Sequence, residues 1–243
     1  STGMNFAGPA GFGREMRAVA TFQQSSVAAA RTLVARAIGR KGGLDRLRAV
    51  RSLAVESGVI IEGGSTVVQS RAYLQYPDKY RVDAETAGAE VSQVYASGDM
   101  WLVTPTGVRG APEFLRDEAA AAVSRDLIGL LLRAWDGRAS IEPAPAGASG
   151  LSALRVLQDG RPDVTLFFDP ESPDVVRLEY ERQGADGVVP EIEDFSDFRV
   201  VDGIRFAFRA TTTTTGGNKV ERRVSAIRVN PDLSPSMFTR PSR

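Results

Sequence analysis

The stretch EIEDFSDFRVVDGIRFAFRATTTTT, Glu191 to Thr215, constrains the fold more than any other part of the chain. Asp202-Gly203 stands between two runs of alternating polarity, and glycine supplies the positive φ that a tight primed turn requires. Beyond the turn Ile204, Phe206 and Phe208 share one face, and Arg205, Ala207 and Arg209 the other. A period of two means a half-buried strand, apolar on one side and wet on the other. Before the turn, Phe195 is out of phase with Phe198, which predicts a bulge or bend near Ser196-Asp197. Strands of this kind form an antiparallel sheet whose apolar face another layer must cover.

The same period recurs along the chain. Leu53 to Glu62 and Thr66 to Gln75 flank a Gly63-Gly64 turn, and further short runs of alternating polarity continue to Val108. After a break the pattern returns at Leu154, at Val164 to Phe168 and at Val176 to Tyr180. The last strand, Lys219 to Asn230, changes phase between Val224 and Ile227, which predicts a second bulge. Two segments read instead as helices. Ser25 or Ser26 is the expected N-cap of a helix through Ile38, with Val27, Ala30, Leu33, Val34, Ala37 and Ile38 as its apolar stripe. Gly42-Gly43 stops it, and Leu44, Leu47 and Val50 suggest a short second helix. Pro112 to Trp135 has helical period and is apolar on more than one side, so it is expected to lie buried against the sheet.

The expected fold is α+β and mainly antiparallel β. It is a curled sheet or incomplete barrel of about 10–11 strands, by period counting, with helices covering the concave face. Residues 1–24 are glycine-rich and weakly periodic and read as an N-terminal arm or linker; 25–243 read as one domain.

Composition excludes several kinds of chemistry. The chain has no His and no Cys, so an H-E-x-x-H zinc site, a Ser-His-Asp triad, a thiol nucleophile and a disulfide are all ruled out. Thirty Lys+Arg against thirty Asp+Glu argue against a nucleic-acid partner. The longest apolar run, Leu127 to Leu132, is too short to cross a bilayer, and no transmembrane segment is expected. No catalytic residue, metal ligand or cofactor is expected, and the chain reads as a non-enzyme.

Three stretches carry a family resemblance. They are GGLDRLRAVRSL (Gly42 to Leu53), YPDKYRV (Tyr76 to Val82), and FSDFRVVDGIRFAF (Phe195 to Phe208) together with IRVNPDLSPSMFTRP (Ile227 to Pro241). In this order the chain resembles the bacterial outer-membrane lipoprotein-sorting and carrier superfamily (LolA/LolB- and LppX-like). The resemblance implies an incomplete antiparallel barrel, lidded by helices, whose interior takes a lipid or the acyl chains of a lipoprotein in the periplasm or cell envelope. Similar domains also occur at the C-terminal end of some pitrilysin-type zinc peptidase chains. That version implies a non-catalytic accessory module with a peptidase domain or subunit as partner. The motifs are turns and strand ends, so no acyl-binding position is carried over from the family.

The candidate cavity residues are Trp101, Leu127, Leu131, Trp135, Phe167, Tyr180, Phe206 and Phe208, which line an apolar ligand site or simply pack a filled core. The acidic group Glu191, Glu193, Asp194 and Asp197 offers a cation site or a carboxylate pair, against a solvated strand face. Arg31, Arg36, Arg40, Arg46, Arg48 and Arg51 crowd the N-terminal helices and either meet lipid headgroups or an acidic partner, or face water.

Overall fold

The Asp202-Gly203 turn forms as the alternation predicts. Both residues have positive φ, 49° and 77°, and Val201 pairs directly with Ile204. The computed structural model describes residues 10–147 and 150–242. Its strands form one thirteen-stranded sheet. A first meander comprises β1 (Ser52–Ile61), β2 (Val67–Gln75), β3 (Lys79–Thr86), β4 (Ala89–Ala96), β5 (Asp99–Thr104) and β6 (Gly107–Gly110). A second comprises β7 (Ser140–Ala144), β8 (Ser152–Gln158), β9 (Arg161–Phe168), β10 (Val175–Gly184), β11 (Gly187–Val201), β12 (Ile204–Thr214) and β13 (Lys219–Val229). The meanders join where β1 pairs antiparallel with β13, so the strand order runs from β6 back to β1 and then from β13 back to β7. The sheet is open and curled, with β6 and β7 as its edges. This confirms the α+β incomplete barrel, with more strands than the ten or eleven expected. One added strand is β7, which includes Pro143; proline lacks an N–H and is tolerated because β7 is an edge.

Both expected irregularities occur, by different means. In β13 the partner of Glu56 is Ala226 and that of Ser57 is Val224, so Ser225 is an inserted residue. In β11, Ser196 pairs with Arg209 and Phe198 with Ala207, so nothing is inserted; Asp197, with a φ of 53°, bends the strand without changing register.

Four helices accompany the sheet among the described residues: α1 (Ala10–Lys41), α2 (Leu44–Arg48), α3 (Glu113–Ser124) and α4 (Leu127–Trp135). Helix α1 begins at Ala10, well before the expected cap at Ser25 or Ser26, and runs past Ile38. Residues 1–9 of the expected arm lie outside the described residues. Ala30, Val34, Ala37 and Ile38 are buried as the stripe requires, but Val27 is exposed. The segment Pro112 to Trp135 is two helices, not one. Asp126 caps α4, its carboxylate accepting from the Gly129 N–H at 3.0 Å, and this breaks a helical period that otherwise runs through.

The main core lies between α1, α2, α4 and the concave face of the second meander. Ile128, Leu130 and Leu131 pack with Leu154, Leu166, Leu178, Ile204 and Phe206. A smaller cluster, Tyr95, Met100 and Leu102 with Ala119 and Val123, seats α3 on the first meander. A third lies on the opposite face of the sheet, where Val94, Ala96 and Trp101 are covered by Phe238 of the C-terminal 3₁₀ turn (Pro235–Phe238).

Candidate ligand-binding cavity

Strand alternation decides which side chains reach the space under the helices. Along β1 these are Leu53, Val55, Ser57 and Val59; along β2, Ser70, Ala72 and Leu74. Tyr80, Leu178, Tyr180, Phe195, Phe206, Thr212, Val224 and Ile227 continue the wall around the curl. The inserted Ser225 allows Val224 and Ile227, an odd number of positions apart, both to face inward. Ala37 of α1, Ala122 and Val123 of α3, and Leu127, Ile128 and Leu131 of α4 close the other side. The space is half open to solvent and its volume is about 560 Å³. That is within the range of roughly 300–1,000 Å³ of small-molecule sites. The space exists because Ser57, Ser70 and Ala72 are small where a packed core would place Leu or Phe.

Of the eight residues expected at a cavity, Leu127, Leu131, Tyr180 and Phe206 line it. The other four lie elsewhere. Trp101 is on the outer face with Phe238, because it alternates with Met100 and Leu102. Phe167 likewise alternates with Leu166 and Phe168, which belong to the main core. Phe208 is packed in that core beneath the Arg199 guanidinium, 4.7 Å from the ring. Trp135 packs at the core's edge with Arg31 stacked on it at 4.8 Å.

Two groups of charges are set into this apolar wall. In the first, Arg125 pairs with Glu118, and its guanidinium lies 3.9 Å from the Tyr180 ring. Glu191, 7% exposed and therefore not on a solvated face, pairs with Arg182 at 2.5 Å, and Glu193 pairs with Arg222 at 3.3 Å. The acidic group of the sequence is thus divided, Asp194 by the pleat and Asp197 by its positive φ. Glu191 and Glu193 face inward, while Asp194 and Asp197 pair with Arg177 at 2.7 Å and Arg199 at 2.8 Å. No described cluster of acidic side chains is arranged to hold a metal ion. Burial raises the Tyr80 and Tyr180 hydroxyl pKa values, so both remain neutral donors at neutral pH.

In the second group, Arg205 grips Asp174 with two hydrogen bonds of 2.8 and 3.0 Å, and Arg40 stands 3.5 Å from the same carboxylate. Burial works against the Asp174 charge, but the bonds from Arg205 and Ser172 outweigh it and hold its pKa below the usual range. Asp126 accepts from the Tyr76 hydroxyl at 2.5 Å as well as from Gly129. Lys41 donates to the Arg205 carbonyl at 2.8 Å and lies 4.9 Å from the Phe206 ring. Burial lowers its pKa to about 8.

Sequence reading passed over Lys41. The signal was present: it falls at the next position of the stripe Ala30, Val34, Ala37, but a helix expected to end at Ile38 hid it. Of the six N-terminal arginines, four have structural duties. Besides Arg31 and Arg40, Arg46 donates to the Gly42 and Gly203 carbonyls, and Arg48 pairs with Asp136 at 2.6 Å.

No family profile matches the chain, and no curated protein matches it. Solved structures do. A DUF1329 family protein from Desulfovibrio piger superposes with a TM-score of 0.60 at 15% identity, covering 88% of this chain and 97% of that one. A LolA superfamily protein from Nitrosomonas europaea gives 0.57 at 13% identity over 87% and 97%. A domain assigned to outer-membrane lipoprotein sorting from Vibrio parahaemolyticus gives 0.55 at 10% identity over 87% and 97%. The curled sheet with its helical cover is therefore a LolA-like fold.

Proposed function

We propose that the chain is a non-enzymatic carrier of a hydrophobic ligand, a lipid or the acyl chain of a lipoprotein, in the bacterial periplasm or cell envelope. The observation that carries this reading is the 560 Å³ apolar-walled space between the curled sheet and α3–α4. Each methylene transferred from water into such a wall contributes about 0.8 kcal/mol, and no covalent chemistry is needed. The LolA-like fold supports the same reading by analogy. The carrier unit in this reading is 25–243, with 1–24 as an N-terminal arm. No described helix is long and apolar enough to span a membrane. None of the three structures named above is described as a peptidase module, so the accessory reading gains nothing from them.

The test uses a neutral probe, so that no headgroup preference enters. Protein stripped on a hydrophobic resin is titrated with N-phenyl-1-naphthylamine and its emission followed. One saturable site with a blue-shifted spectrum is expected. A linear, unsaturable rise overturns the carrier reading.

A further inference from the structure

We propose that Lys41 is the anchor for the headgroup of the carried ligand, and that this headgroup is a carboxylate: the cavity is built for a long-chain fatty acid anion. The inference rests on the carrier reading and goes beyond it by assigning the ligand's charged end.

Lys41 ends α1 and lines the cavity among Ala37, Leu53, Ile128, Leu131 and Phe206. An ammonium carries three N–H donors. One goes to the Arg205 carbonyl, and the Phe206 ring covers another side. The C-terminal turn of α1 adds the partial negative charge of its carbonyls. No described carboxylate forms an ion pair with it, although two stand near. Asp126, on α4, is held by Tyr76 and Gly129; Asp174, between β9 and β10, is held by Arg205, Ser172 and Arg40. Arg205, on β12, adds a repulsive positive charge. A cation in an apolar wall without a full counter-charge is costly, and such groups either neutralise or meet a ligand's charge. The lowered pKa agrees with that imbalance.

The surroundings also select the kind of anion. One ammonium with free donors, flanked by two carboxylates already in use, balances a single negative charge and opposes a second. A fatty acid presents one charge and two acceptor oxygens on a methylene chain. A phosphate monoester approaches two charges at neutral pH. With its head at Lys41, the tail extends along Leu53, Val55, Ala72 and Val224, away from the Asp174–Arg205 pair.

The experiment measures displacement of N-phenyl-1-naphthylamine by dodecanoate, dodecanol and dodecyl phosphate. In the wild type at pH 7, dodecanoate displaces at a concentration about tenfold lower than dodecanol, the scale of one charge-assisted hydrogen bond. Lys41→Met abolishes the difference while still binding the neutral fluorophore. In the wild type the difference shrinks as pH rises from 7 to 9.5 and Lys41 loses its proton. Lys41→Gln serves should the methionine variant not fold. Equal displacement by acid and alcohol, or a preference that persists in Lys41→Met, overturns the anchor. Tighter displacement by dodecyl phosphate overturns the carboxylate assignment. Each of these outcomes leaves the carrier reading intact, whereas absence of any saturable fluorophore binding removes that reading itself.

Discussion

At the residue scale, the end of α1 concentrates two constraints in adjacent positions. Lys41 holds a charge in an apolar wall, and its pKa of about 8 in the folded chain stands below the 10.5 of a free lysine. Between these values the unfolded chain binds more protons, so stability rises with pH across that window; below about pH 8 the full cost of the half-buried charge is present. Tyrosine ionisation in the unfolded chain acts the other way from about pH 10. Urea unfolding between pH 8 and 10 should therefore show a rising midpoint in the wild type and a flatter profile in Lys41→Met. Equal slopes would mean that Lys41 is solvated. Gly42 follows, with a φ of 147°, and a Cβ there would stand 2.6 Å from the Gly203 carbonyl oxygen. That contact brings α1 against the β11–β12 turn, whose Gly203 also receives Arg46. Gly42→Ala should cost about 1–3 kcal/mol through this overlap, read from urea unfolding, while Gly39→Ala, with nothing near its added Cβ, should cost nothing.

At the element scale, the α3–α4 break is the joint of the helical cover. Asp126 satisfies the first turn of α4 and receives the Tyr76 hydroxyl from the end of β2. Asp126→Ala removes both and should destabilise by about 1–2 kcal/mol. Tyr76→Phe removes only the hydroxyl bond and should cost less; an equal or larger loss would show that the capping role is minor. The joint also shows what a sequence reveals and conceals. The hairpin at Asp202-Gly203 and the inserted residue in β13 were legible because both follow from a local period of two and the turn chemistry of glycine. The break at Asp126 was not, because Pro112 to Trp135 keeps a helical period across it and only a capping aspartate marks the change. Strand β7 was concealed by Pro143, whose harmlessness depends on β7 being an edge, a property of the whole sheet. Alternation could also have excluded Trp101 from the cavity, once Met100 and Leu102 were assigned inward; aromatic content alone pointed the wrong way.

At the scale of the whole molecule, two meanders are joined by the β1–β13 pairing, and the curl of their shared concave face leaves a space the helices cover without filling. The large side chains of the second meander give α4 a dense seat at Leu154, Val164, Leu166 and Leu178, all nearly inaccessible. Across the curl, the small side chains of β1 and β2 leave room. The open part of the cavity therefore lies over β1 and β2, where a larger side chain can fill it without disturbing the seat of α4. The measurement that tests this most directly is N-phenyl-1-naphthylamine titration of Ala72→Trp beside the wild type, with thermal unfolding of both. Ala72 lines the cavity, and an indole there occupies the space of a ligand. A cooperative transition should be retained in the variant, with saturable binding present in the wild type and lost in Ala72→Trp. Undiminished binding in Ala72→Trp, with the fold intact, would contradict it.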